Sequence, residues 1–218
     1  MSAHWPPGKW SPLRNSGGIE MKPIRLGIMV SGRGSNMEAI LKEIDSGNLA
    51  AEVGVVISDN PTAGALNILA ETKVPTLVAE RSAFRDKESF EKVLIGVMIE
   101  YRVELVVLAG YMRLLGPTFI QAFSGRIINI HPSLLPAFPG LNAQRQALDY
   151  GVKVAGCTVH FVNEQMDGGR IIAQAVVPVL PNDDVDALSA RILKEEHRLL
   201  PQVIGWIGEV VKMPQHTH

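Results

Sequence analysis

The chain has 218 residues, 46% of them hydrophobic and 20% charged, enough to bury a substantial core as one continuous domain. Its 21 basic and 22 acidic residues leave a formal net charge of -1 and form no long runs, which argues against a broad nucleic-acid footprint while leaving local phosphate binding open. The single cysteine, Cys157, excludes an internal disulfide and a multi-cysteine metal site and fits a reducing compartment; with no apolar run long enough to span a bilayer, a cytoplasmic protein is expected, without nucleic-acid or membrane partners.

Residues 1–21, beginning "MSAHWPPGKWSPLRNSGGIE", are rich in Pro, Gly and Ser, show no hydrophobic period, and read as a flexible extension. Regular patterning then defines one domain over 22–211, with a short tail at 212–218. From Ile24 onward "IRLGIMV", "AEVGVVIS", "VPTLVA", "ELVVLAG" and "RIINIH" are brief aliphatic runs bounded by Gly, Pro or polar residues, as strands are. Between them Met37, Ile40, Leu41 and Ile44, and later Phe90, Val93, Leu94, Val97, Met98 and Tyr101, keep helical spacing. Alternation of this kind predicts an α/β fold: an open, mostly parallel, Rossmann-like twisted sheet with helices on both faces. Ligands of such sheets bind beyond the carboxyl ends of the strands.

Three of those ends carry unusual residues. After the first strand comes "SGRGSN", Ser31 to Asn36, whose glycines permit a tight turn and whose following helix begins with unpaired amides suited to an anion. A plain strand-to-helix turn capped by Ser35 or Asn36 is the bland alternative. The "RIINIH" strand directs Asn129 and His131 to one face and Ile128 and Ile130 to the other, and three prolines within Pro132–Pro139 end it. In "VHFVNEQMDGGRII", Asp167 before two glycines has the composition of a hairpin turn, and His160 taken alone reads as a partly buried structural residue.

The last helix sets Val185, Leu188, Ile192, Leu199 and Val203 on one stripe, yet Glu196 interrupts it. A carboxylate there either bonds a neighbouring element at the core's edge or faces the cleft and accepts from a ligand hydroxyl. Pro201 predicts a kink near residues 197–201.

The segments "VSGRGSN", "LAGYMRLL", "INIHPSLLPAFPGLNAQRQAL" and "GCTVHFVNEQMDGG" occur in the order and spacing of the phosphoribosylglycinamide formyltransferases, and the chain resembles that family over roughly Ile24 to Trp206. The resemblance implies transfer of the formyl group of a co-substrate, 10-formyltetrahydrofolate, to the glycinamide amine of phosphoribosylglycinamide in purine biosynthesis, with no metal. It implies Asn129, His131 and Asp167 as the catalytic trio. Asn129 and His131 would donate to the oxyanion of the tetrahedral species, and Asp167 would favour the protonated imidazole.

Binding roles follow from the same resemblance. Gly34, Ser35 and Asn36 match the positions that hold the substrate phosphate, and Glu196 matches the acidic residue that contacts the ribose. Met112, Arg113, Leu114 and Leu115 match the folate-binding segment, with Arg113 near the glutamate tail; Leu114 and Leu115 as ordinary core is the alternative. Asn129 also lies against the folate. Lys87 stands where relatives carry arginine, so its folate contact would be a single charge and not a bidentate clamp. Asn142 occupies a position that is histidine in some members. A formyltetrahydrofolate hydrolase or a nonenzymatic phosphoribosyl-binding protein are the competing classes: the phosphate loop argues against the first, the trio against the second. No self-association stripe stands apart from the core pattern, so monomer and homodimer both stay open.

Overall fold

A computed structural model describes residues 22–212, so the proposed extension, and all but the first residue of the proposed tail, lie outside the described residues. In chain order the elements are β1 (Ile24–Val30), α1 (Ser35–Asp45), β2 (Ala51–Ser58), α2 (Gly64–Leu69), β3 (Thr76–Val78), a 3-10 turn (Arg81–Ala83), α3 (Lys87–Glu100), β4 (Leu105–Leu108), α4 (Pro117–Ala122), β5 (Ile127–His131), α5 (Ala143–Tyr150), β6 (Val154–Phe161), β7 (Ile171–Pro178) and α6 (Val185–Lys212). The five strand runs read from the sequence are β1 to β5. One seven-stranded sheet contains them in the order β3-β2-β1-β4-β5-β6-β7.

Pairings from β3 through β5 are parallel, as the alternation of strand and helix requires. The last two are not: β6 runs antiparallel to β5, and β7 antiparallel to β6. A helix no longer separates β6 from β7, so the chain returns through a hairpin, which can join only antiparallel strands.

Burial explains the two-sided covering. In β1, Ile24, Leu26, Ile28 and Val30 enter one core cluster together with Met37 and Ile40 of α1 and Leu188, Ile192, Leu199 and Val203 of α6. Met29, between them, enters the opposite cluster with Phe90, Leu94 and Met98 of α3 and Phe119 of α4. Such period-two division of a wholly apolar run marks a strand buried on both faces. The start of α3 is fixed by a reciprocal cap: Asp86 accepts from the Ser89 amide at 2.7 Å, and the Asp86 amide donates back to Ser89 Oγ at 3.3 Å. That cap sets Lys87 at the first helical position.

Pro201, where the sequence predicts a kink, does not end the helix. Helix α6 runs unbroken from Val185 to Lys212 with Pro201 inside it and buried. Flanking Leu199, Leu200, Val203 and Ile204 are all in the core, and their burial offsets the backbone hydrogen bond that proline cannot make.

The β6–β7 pair is packed tightly enough to test. A side chain at Gly156, opposite Val176, would overlap the Ala175 carbonyl oxygen, a backbone atom that no rotamer change moves. Gly156→Ala is therefore expected to destabilise the fold by about 1–3 kcal/mol or more, read as a lower urea midpoint. An unchanged midpoint would show that the two strands separate freely at this point.

Candidate active site

Strands β1, β4 and β5 end side by side, so the segments after Val30, Leu108 and His131 share one rim. The order places helices on opposite faces on either side of the β1–β4 pair, and the crevice at such a reversal is where open α/β sheets take ligands.

At the β1 end the chain turns sharply into α1. Gly34 has φ 81° and lies against Ala65; a Cβ there would come within 2.6 Å of the Ala65 Cβ, so both the dihedral and the space require glycine. The helix has no side-chain cap, which removes Ser35 and Asn36 as capping groups and leaves the first-turn amides without that partner. Asn36 turns inward instead. Its Nδ2 donates to Glu196 Oε2 at 2.7 Å, while its Oδ1 is buried with no hydrogen-bond partner. The interruption of the α6 stripe is thus explained by a buried polar bond between α1 and α6. Burial raises the Glu196 pKa above the ordinary carboxylate value, and the Asn36 bond opposes that shift.

Ser31 ties this loop to the next. Its amide donates to Gly110 O at 3.1 Å, its hydroxyl accepts from the Met112 amide at 2.9 Å, and its carbonyl accepts from Asn60 Nδ2 at 3.1 Å. Met112 and Leu114 are 68% and 64% exposed, so Leu114 is not core, whereas Leu115 packs partly on the α3 side. Arg113 Nε donates to Asp59 Oδ2. Lys87 is exposed, with its Nζ 3.9 Å from the buried Glu91. Glu91 in turn accepts from the Gly116 amide, anchoring the end of this segment on α3.

At the third end, the antiparallel register sets Asn129 directly opposite His160 and His131 opposite Thr158. Asn129 Nδ2 lies 3.2 Å from His160 Nε2, and His160 Nδ1 lies 2.9 Å from the Phe161 carbonyl. A carbonyl can only accept, so Nδ1 carries a proton. Burial lowers the His160 pKa, keeping the ring neutral and its Nε2 free to accept from Asn129.

Asp167 closes the group from the β6–β7 connection. Its Oδ2 accepts from the Gly140 amide at 2.8 Å and lies 3.5 Å from His131 Nδ1; its Oδ1 lies 3.8 Å from His160 Nε2. His131 Nε2 faces the Phe138 carbonyl at 3.0 Å, so in this structure both ring nitrogens face protein acceptors. Asp167 is in a hairpin connection, as its composition predicts, and in the site as well. Phe138, Asn142 and Asp167 all have positive φ, at 54°, 57° and 51°. Non-glycine residues seldom adopt that region, and three of the four among the described residues, all but Arg102, lie in the two loops that meet at His131.

His131 and Asp167 meet directly, and Asn129 joins them through His160. Gly34, Ser35, Asn36 and Glu196 gather at the neighbouring strand end. Lys87, Met112, Arg113, Leu114 and Leu115 line the third part of the rim. Sequence reasoning missed His160, Ser31, Asp59 and Glu91. Only His160 carried a legible signal: it alternates with Thr158 on a strand that precedes Asp167. Cys157 is fully packed, with its thiol pushed up to about 12 by burial, as expected of an inert core residue. Among the described residues no group of three or more His, Cys, Asp or Glu side chains could hold a metal ion, and no helix is long and apolar enough to cross a membrane.

This arrangement can be set beside known proteins. The phosphoribosylglycinamide formyltransferase of Bacillus subtilis is 43% identical over 180 residues, taking in 83% of this chain and 92% of that one. The human trifunctional purine biosynthetic protein adenosine-3 is 39% identical over 196 residues; the match covers 90% of this chain but only 19% of the human protein. In the crystal structure of glycinamide ribonucleotide transformylase 1 from Symbiobacterium toebii, 94% of the chain superposes on 90% of this one with a TM-score of 0.86 and 48% identity. The formyl transferase family model matches residues 24–204, from the first residue of β1 to the last third of α6 and across every segment of the rim, and the chain belongs to that family.

Proposed function

We propose that the chain transfers the formyl group of 10-formyltetrahydrofolate to the amine of N1-(5-phospho-D-ribosyl)glycinamide, giving formylglycinamide ribonucleotide and tetrahydrofolate in de novo purine biosynthesis. The observation that carries this reading is the meeting of an amide, two imidazoles and a carboxylate at the end of β5, beside an uncapped helix start. The chain matches only 19% of the human trifunctional protein, and no activity of the unmatched part enters the proposal.

The amine lone pair attacks the formyl carbon, forming a C–N bond and moving the carbonyl electron pair onto oxygen. The oxyanion needs donors. Asn129 uses one Nδ2 hydrogen on His160 and has the second for that oxygen. His131 reaches it through Nε2–H once the Phe138 carbonyl is exchanged for an anionic acceptor, a stronger partner for the same proton, while Asp167 at Nδ1 supports the imidazolium. Collapse breaks the bond to the folate nitrogen, and the proton lost by the amine is delivered there. Asp167 lies where it can orient a water for that relay.

For binding, the amides that follow Gly34 and the Ser35 hydroxyl suit the phosphate. Asn36 acts through Glu196, holding Oε2 and leaving Oε1 for a ribose hydroxyl. Met112, Leu114 and Leu115 supply apolar surface for the pterin, and Arg113 with Lys87 supplies positive charge for the acidic tail.

Tetrahydrofolate formation is expected only when phosphoribosylglycinamide is present; formate release without the amine would mark a hydrolase and overturn the assignment. Asn129→Ala is expected to lower turnover about 100-fold or more, the worth of one oxyanion donor. A rate within a few-fold of the parent, with the urea midpoint preserved, would remove Asn129 from the mechanism.

His160 supplies a pH test with a definite sign. Its folded pKa lies below the unfolded value of about 6.5, so on acidification the unfolded chain takes up the proton first. The stability owed to neutral His160 is complete above that pH and is lost as pH falls through the folded value. Urea midpoints are expected to drop below about pH 6.5, and His160→Gln, which cannot take up that proton, is expected to flatten part of the drop while slowing turnover. An unaltered acid slope in the variant would contradict the neutral assignment.

A further inference from the structure

Two ion pairs in this protein differ in a way that bears on the formyl donor. Arg191 and Asp183, which follows β7 at the edge of the sheet, form a bidentate fork: Nη1 to Oδ2 at 2.6 Å and Nη2 to Oδ1 at 2.8 Å. Both carboxylate oxygens are satisfied, as expected where the pair only holds the structure together. Arg113 and Asp59 do not pair this way. Asp59 follows the last residue of β2 at the rim, and its side chain is only 6% exposed, yet it accepts through Oδ2 from Nε alone. Its Oδ1 is buried without a partner, a costly arrangement that a fork would have relieved. The Arg113 side chain remains 47% exposed, and among the described residues its guanidinium has no other hydrogen bond.

We propose that Asp59 is a positioning residue for the formyl donor: by holding Arg113 at Nε it presents the two Nη groups, outward and in one plane, to the carboxylate tail of the folate. This rests on the reading of Arg113 as the tail-binding residue. A free arginine side chain would have to be ordered on binding; one already fixed at Nε loses less rotamer freedom for each bond it makes. Asp59 touches no part of the donor and acts only through Arg113.

The test compares the natural donor with one whose tail carboxylates are converted to amides. Arg113→Ala serves as the reference and is expected to raise KM for the natural donor alone. Asp59→Ala is expected to do the same, raising that KM about 3- to 10-fold with kcat within about twofold and no change for the amidated donor. Asp59→Asn keeps an oxygen that accepts from Nε and is expected to restore most of the loss; it also controls for misfolding of the alanine variant. Equal KM changes for both donors, no change in Asp59→Ala, or no recovery in Asp59→Asn would overturn the role of Asp59 while Arg113 kept its own. Arg113→Ala without donor selectivity would overturn the tail-binding reading itself, and this proposal with it.

Discussion

The antiparallel register of β6 on β5 is the constraint on which the site depends. It sets Asn129 opposite His160 and His131 opposite Thr158, and β6, running from the rim toward the amino end of β5, leads into the β6–β7 connection from which Asp167 reaches His131. A parallel β6, as in the rest of the sheet, would move the start of the β6–β7 connection to the opposite end of β5 and lose this pairing of side chains. Shifting the pairing by one residue would turn His160 into the apolar face and Val159 toward Asn129, because side chains alternate along a strand. Gly156 and Gly169, neither of which has room for a side chain, hold that hairpin close to its neighbours.

Around this centre the rim is built from buried polar groups in specified pairs. Glu196 is held by Asn36, Glu91 by the Gly116 and Phe119 amides, Asp59 by Arg113, and Asp167 by the Gly140 amide. In each case a carboxylate that would be costly to bury alone accepts hydrogen bonds across different elements of the chain. The partners come from α1 and α6, from α3 and α4, from β2 and the segment after β4, and from the two loops around His131. Each pair therefore fixes the relative position of two segments that contribute to the same cleft. For the proposed transfer these pairs would supply the preorganisation that an oxyanion site needs, in charges and dipoles held before any ligand arrives.

Much of this was legible in the primary structure, and the reasons can be stated residue by residue. The five apolar runs became β1 to β5 because brief aliphatic segments between polar breaks have few other ways to bury both faces. Asn129 and His131 share a face because any extended chain alternates. Glu196 could be recognised as anomalous on an apolar stripe, although whether it bonded a neighbour or a ligand depended on Asn36, 160 positions away. His160 was read as a structural histidine because a lone histidine in a strand has no local mark of its partner. Pro201 lies inside one continuous helix, where the packing of its apolar neighbours offsets the hydrogen bond its ring removes.

The sequence by itself determined the class of fold and, through ordered motifs, the family, and the same motifs carry the proposed trio of Asn129, His131 and Asp167. These depend on local periodicity and on short runs, which a linear chain displays directly. Only the tertiary structure decided that β6 and β7 reverse the direction of the sheet, that His160 stands between Asn129 and Asp167, that Ser31 couples two loops, and that Asp59 engages Arg113 by one nitrogen. Each of these is a contact between residues far apart in sequence, and its geometry is set by how whole elements pack, a quantity that no stretch of the chain contains within itself.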